Sequence, residues 1–174
     1  RLTQLLHDVS TITRMEDGSS RIERESVDLR AIIDEIASEV AMLPDDKRMR
    51  VNINMPASLP VTGNSTLLMS MIKNLTDNAI AYSGGRDIFV RCTEEDKMYT
   101  ISFYDNGIGV DNDHINHIFE RFYRIDKGRS RKLGGTGLGL SIVKNAVIFH
   151  GGDIKVTNRK VGGLEFTFTL PKAQ

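Results

Sequence analysis

Apolar residues recur every three or four positions in some stretches of the chain and every second position in others, and the two periods separate helices from strands. Leu2, Leu5, Leu6, Val9 and Ile12 share one helical face, which stops at the turn-like run Asp17-Gly18-Ser19-Ser20. So narrow a seam predicts a partner helix outside the chain. Leu29, Ile32, Ile33, Ile36, Val40 and Leu43 signal a second helix, with Asp28 at its N-cap. A third runs from Ser65 to about Tyr82 on Leu67, Leu68, Met71, Ile72, Leu75 and Ala79. The last spans about Gly139 to His150 and ends at Gly151. Between the helices, Val51 and Ile53 alternate with polar neighbours, and Pro56 and Pro60 bound a turn. Asp87 to Cys92 and Tyr99 to Tyr104 read as strands joined by Glu94-Glu95-Asp96-Lys97. A short amphipathic stretch, Ile115, Ile118, Phe119 and Phe122, leads into a basic loop that ends at Gly135. Asp153 to Thr157 and Leu164 to Leu170 form a closing hairpin turned at Gly162-Gly163. The elements interleave without a regular βαβ beat, so the expected class is α+β, a mixed sheet with helices on one face.

Composition narrows this picture only a little. The chain has 174 residues, 40% hydrophobic and 26% charged, which suits one globular domain with at most a small appendage. A formal net charge of zero gives no overall attraction to nucleic acid or membrane, and neither is expected as a direct partner. Cys92 is the single cysteine, so no internal disulfide can form; it reads as a small buried hydrophobe in a reducing compartment. No apolar run approaches the roughly 20 residues that cross a bilayer, and no signal peptide is visible. The chain opens at Arg1 inside a periodic helix without a cap. That predicts a preceding segment, where a membrane anchor could lie.

Candidate chemistry lies in the polar and glycine-rich positions. Asn74 and Asn78 are four apart on the third helix, so their amides share a face. Amide oxygens are hard ligands of the kind Mg²⁺ accepts, although alone the pair is better explained as a solvated surface. Asp105-Asn106-Gly107-Ile108-Gly109 follows an alternating strand. Its carboxylate can accept from an exocyclic amine such as that of adenine; ordinary turn chemistry explains the run as well. Gly134 to Leu140 opens the last helix, where clustered glycines expose backbone N–H groups to an anion. No Gly-Lys-Ser/Thr ends it and its spacing is not Gly-x-Gly-x-x-Gly, which excludes a Walker loop and a dinucleotide fingerprint. Arg121, Arg124, Lys127, Arg129, Arg131 and Lys132 stand against one acid, Asp126. Such a segment between glycine boxes suits a lid over a triphosphate, with Phe119 and Phe122 as its packing anchors.

Four of these runs, in order and spacing, resemble the boxes of sensor histidine kinases. Asn74 to Ala79 is similar to the N box and Asp105 to Gly109 to the first glycine box. Phe119-Glu120-Arg121-Phe122-Tyr123-Arg124 is similar to the F box, and Gly135 to Leu140 to the second glycine box. Gly162 to Pro171 resembles the closing strand, and the likeness covers about residues 26 to 172. The resemblance implies the Bergerat fold, a two-layer α/β sandwich shared with gyrase, mismatch-repair and heat-shock-chaperone ATPases, and it implies ATP and Mg²⁺ as cofactors. Asp105 would bind the adenine amine, Asn74 and Asn78 the metal and phosphates, Tyr82 would flank the nucleotide, and Arg124 would reach the γ-phosphate. Gly135, Gly137 and Gly139 would shape the phosphate wall, with Gly107, Ile108, Gly109, Phe119, Thr136, Leu138 and Leu140 completing the pocket.

Residues 1–24 resemble the end of the second helix of a dimerisation and phosphotransfer hairpin, and residues 25–174 the catalytic domain. His7-Asp8-Val9-Ser10-Thr11 matches only the first two positions of the phosphoacceptor motif and lacks its proline; His114, His117 and His150 match none of it. The acceptor is therefore expected on a hairpin helix of the same protein or its dimer partner, with a response regulator receiver domain next in line. The implied location is a cytoplasmic domain of a membrane-anchored sensor. The ATPase relatives carry glutamate where Asn74 stands, and an amide cannot take a proton from water, which favours transfer over hydrolysis. Ala81 stands where the family often has lysine. A Bergerat-fold ATPase, an anti-sigma serine kinase and a non-catalytic nucleotide-binding module remain as alternatives.

Overall fold

Asp28 shows how local chemistry starts the fold. In the computed structural model, which describes residues 2–16, 22–125 and 136–174, its Oδ1 accepts from Arg30 N at 3.0 Å and from Leu59 N at 2.8 Å. One carboxylate thus caps α2 (Leu29–Ala41) and ties it to the chain before β3 (Pro60–Gly63). β3 pairs antiparallel with β1 (Glu25–Asp28) in a two-stranded sheet that the hydrophobic pattern did not predict. Each strand has only four residues, and Val27 and Val61 are their buried apolar side chains. That is too short for alternation to register.

The larger sheet runs β2 (Arg50–Asn54), β4 (Asp87–Glu94), β5 (Met98–Asp105), β7 (Leu164–Pro171), β6 (Ile154–Asn158). β2 lies parallel to β4 and the other pairs are antiparallel, so the sheet is mixed, as expected. Register sets the core face: Val90 faces Phe103, Phe103 faces Phe166 and Ile101 faces Phe168, all buried. α2, α3 (Ser65–Tyr82) and α5 (Gly139–Phe149) pack on this face through Ile33, Ile36, Met71, Ile72, Leu75, Val143 and Val147. On the opposite face Phe89 stacks on Tyr104 at 4.9 Å and Arg159 covers that ring. Cys92 is half-buried beside the core, and desolvation pushes its thiol above the ordinary range.

Two packing expectations need correction. The apolar seam of α1 (Leu2–Glu16) is not wholly unpartnered, because Ile12 is buried with Leu138, the N-cap of α5, and with Ile142 inside that helix, and Leu5 and Met15 border them. Leu2, Leu6 and Val9 are the exposed remainder. Downstream of α4 (Asn112–Ile115), Ile118 and Phe119 pack on the core, Phe119 edge-to-face with Phe166 at 6.0 Å. Phe122 does not join them on the core: it is 57% exposed and has a positive φ of 62°, held by Phe122 N donating to Gly137 O at 2.8 Å. Among the described residues no helix is long and apolar enough to cross a membrane.

Candidate functional site

α3 carries the amide pair. Asn64 caps it by accepting from Leu67 N at 3.0 Å, and its apolar stripe turns inward, so Asn74 and Asn78 share a half-buried edge. Asn74 Nδ2 donates to Ser70 O at 2.8 Å and to Ser70 Oγ at 3.3 Å. Because a carbonyl can only accept, this fixes the amide, and Oδ1 is the atom turned toward α5. A Cβ at Gly139 would come within 2.8 Å of that oxygen. The glycine opening α5 is therefore what lets the second glycine box close on the amide.

The C-terminal end of α3 meets the first glycine box just as closely. Ile108 N donates to Ser83 O at 2.9 Å, and a Cβ at Gly107 would lie 2.0 Å from the same carbonyl. Asn106 secures the other side: Oδ1 accepts from Arg86 N and Asp87 N at 3.0 Å, and Nδ2 donates to Asp87 Oδ2 at 3.0 Å. The Arg50 guanidinium hydrogen-bonds Asp87 through both carboxylate oxygens, at 2.9 and 3.1 Å, and holds that carboxyl below its ordinary range.

Asp105, at the end of β5, is only 6% exposed. Its Oδ1 accepts from Gly107 N at 2.8 Å and Leu164 N at 3.4 Å. The Asp-Asn-Gly turn reading is thus realised, and it uses one oxygen only. Burial pushes the carboxyl above the usual range; those two N–H groups and the Arg159 cation oppose the shift without cancelling it. Gly163 presses on the same residue, since a Cβ there would stand 1.9 Å from Asp105 O. Asn158, at the end of β6, bonds both backbone groups of Val110, accepting from its N–H at 2.8 Å and donating to its carbonyl. No sequence motif singled out Asn158, Ser83 or Ser70, because each acts on segments distant in sequence or through its backbone.

Of the remaining expected positions, Tyr82, Phe119, Arg124, Thr136, Gly137 and Leu140 are half-buried, Leu138 is fully buried, and Ile108 is 78% exposed. The F box meets the second glycine box through the Phe122–Gly137 bond. Gly135 and the basic residues Lys127, Arg129, Arg131 and Lys132, with Asp126, lie outside the described residues.

The family described as histidine kinase-, DNA gyrase B- and HSP90-like ATPase matches residues 63–174. The sensor-like histidine kinase SenX3 of Mycolicibacterium smegmatis is 34% identical over 173 residues, covering 99% of this chain and 45% of that protein. The sensor histidine kinase WalK of Bacillus subtilis is 34% identical over 175 residues, covering 98% of this chain and 28% of that protein. This chain thus spans less than half the length of these curated relatives. Among solved structures, the mycobacterial sensor histidine kinase MprB superposes with a TM-score of 0.72 at 28% identity, covering 87% of this chain and 100% of that one. Full-length ShkA in complex with AMPPNP gives 0.82 at 24% identity, covering 99% and 36%, a likeness of fold.

Proposed function

Because the chain belongs to the histidine kinase-, DNA gyrase B- and HSP90-like ATPase family, with the ATP-binding domain of a sensor histidine kinase, we propose that it transfers the γ-phosphoryl group of Mg²⁺-ATP to a histidine on a hairpin helix outside this sequence. A response regulator receiver domain would then take the group. Residues 25–174 form the catalytic unit in this reading and residues 1–24 the end of the hairpin's second helix. The whole protein would be a membrane-anchored sensor with this part in the cytoplasm.

One observation carries the proposal: α3, which carries the N box, touches both glycine boxes, its C-cap Ser83 O against Gly107 and Asn74 Oδ1 against Gly139. That contact gathers a hard oxygen donor, a helix N-terminus suited to phosphate and a buried carboxylate at the end of β5. The residues fit the cofactors. Asn74 offers Oδ1 as a metal ligand because its nitrogen is tied to Ser70. Asp105 keeps Oδ2 for an exocyclic amine because Oδ1 holds the turn. Bound Mg²⁺ would neutralise phosphate charge and align the terminal group for displacement. What the chain adds is positioning by Asn74, Asn78 and Arg124, and Asn74 lacks the basicity to activate water.

Titration with Mg²⁺-ATP tests the binding step, and no heat from a folded protein would reject it. The transfer step needs the hairpin histidine supplied on a longer chain. Acid-labile, alkali-stable phosphate on that hairpin is the expected product. Steady release of inorganic phosphate by the present chain would instead identify an ATPase, and acid-stable phosphate a serine kinase.

A further inference from the structure

The hairpin of β6 and β7 grips the first glycine box at both of its ends. At the start of the box, Leu164 N donates to Asp105 Oδ1 at 3.4 Å, and Gly163 presses on Asp105 O. At the far end, Asn158, the last residue of β6, accepts from Val110 N at 2.8 Å and donates from Nδ2 to Val110 O. Residues in paired antiparallel strands exchange these same two bonds, so one side chain pairs with Val110 as a strand would. Nδ2 also reaches Asn112 Oδ1, at 3.5 Å, in the first residue of α4. Between the two ties, Gly109 has a φ of +71°, and a Cβ there would stand 2.5 Å from Asn158 Oδ1. The glycine is therefore what lets the amide close on Val110. Ile108 N is bonded to Ser83 O at 2.9 Å, and the Ile108 side chain is left 78% exposed.

We propose that Asn158 is a positioning residue for base recognition: by holding Val110 it fixes the backbone after Gly107 relative to Asp105, and so sets the preference for a 6-amino over a 6-oxo purine. The inference rests on the nucleotide-binding reading above. In that reading a purine meets the protein along its edge, at Asp105 Oδ2, and across its face, at Ile108. A single acceptor discriminates only when the ring cannot slide away from a mismatch. The edge contact is rigid because Oδ1 is held by two backbone N–H groups. The face contact is rigid only if the loop that carries Ile108 is, and Gly109 would otherwise let that loop swing. Ser83 O holds the loop from the side of α3, and Asn158 holds it from the side of β6.

Asn158→Leu keeps the branched shape and removes both bonds, at an exposed strand end. Calorimetric titration with Mg²⁺-ATP and Mg²⁺-ITP gives the base preference as a ratio of affinities, in which the shared metal and triphosphate cancel. The ratio should fall about tenfold from that of the natural protein, the upper worth of one ordinary hydrogen bond. Asn158→Asp keeps an acceptor for Val110 N but sets a carboxylate against Val110 O, so its ratio should fall as well. An unchanged ratio in both variants overturns the positioning role, and so does an equal loss of affinity for the two nucleotides, which is what a merely structural residue would give. ATP and ITP bound alike by the natural protein overturn base recognition at Asp105, and binding of neither overturns the nucleotide reading itself. Hydrogen exchange on the natural protein is independent of how the variants fold. Mg²⁺-ATP should slow exchange at Val110 N–H more than Mg²⁺-ITP does; equal protection by the two overturns the proposal.

Discussion

The adenine-binding role proposed for Asp105 shares one carboxylate with its turn, and the two oxygens allow them to be separated by substitution. Oδ1 holds Gly107 N and Leu164 N, whereas Oδ2 is the atom proposed for the adenine amine. Asp105→Asn leaves a carbonyl oxygen for the two backbone donors and puts an NH₂ group where an acceptor is needed. Losing a charge-assisted bond costs about 1.5–3 kcal/mol, which is roughly a 10- to 150-fold weaker Mg²⁺-ATP affinity. The amide now suits a 6-oxo group, so the preference for ATP over ITP should shrink or invert. Asp105→Ala, by contrast, also strands buried N–H groups at about 1–3 kcal/mol. At roughly 2–4 °C per kcal/mol for a chain of this size, its melting temperature should fall by about 2–12 °C. Calorimetry with ATP and ITP, alongside thermal melts of both variants, reads each effect separately. Natural ATP affinity in Asp105→Asn would refute the recognition role. A melt lowered as much in Asp105→Asn as in Asp105→Ala would refute the assignment of Oδ1.

Asn74→Ala should weaken nucleotide binding more in Mg²⁺ than in EDTA, and an unchanged magnesium dependence would contradict its metal role. Gly139→Ala places a Cβ 2.8 Å from Asn74 Oδ1 at a helical backbone that alanine favours, so Mg²⁺-ATP affinity should drop at least tenfold while the melt changes little. Gly163→Ala meets Asp105 O at 1.9 Å with φ at +99°, and a melt within a few degrees of the natural protein would show that the hairpin is not pressed on Asp105. His150 donates from Nδ1 to Ala146 O and accepts from Asn64 N at Nε2, so it is held neutral, and burial lowers its pKa below the ordinary 6.5. Between that lowered value and 6.5 the unfolded chain binds more protons than the folded one, so stability falls as pH drops through this window. His150→Gln should flatten the pH dependence of the melt below 6.5; equal slopes would reject the assignment.

The layered fold was legible because its long elements are strictly periodic. α3 runs from Ser65 to Tyr82 as its apolar stripe predicts, and Gly151 ends the last helix with φ at +83°. β4 extends past its expected end because Thr93 and Glu94 pair with Thr100 and Tyr99 across the hairpin, and two polar residues leave no hydrophobic trace, while β5 gains Met98 opposite Pro171 and Asp105 opposite Ile88. β1 and β3 were invisible for want of length. Within the site, residues contributed by a box could be anticipated, whereas residues contributed by a contact could not. Asn158 is one asparagine at a strand end, and Asp8, which accepts from the Thr136 hydroxyl, falls between Leu6 and Val9 on a helix whose apolar seam draws the eye.

Glycine spacing inside a box says only that the backbone can bend. Why a glycine is required comes from its neighbour in space: Gly107 yields to Ser83 O, Gly139 to Asn74 Oδ1, Gly163 to Asp105 O. Each neighbour belongs to a different segment, so no box can be understood alone, and every box read singly also has an ordinary explanation. The turn at Asp105 makes the same point from the opposite side. Turn chemistry and ligand recognition were alternatives only while the carboxylate was treated as one acceptor. With Oδ1 holding the backbone N–H of Gly107 and Leu164, the turn becomes the means by which the second oxygen is held rigid, and rigid placement is what makes a single acceptor selective.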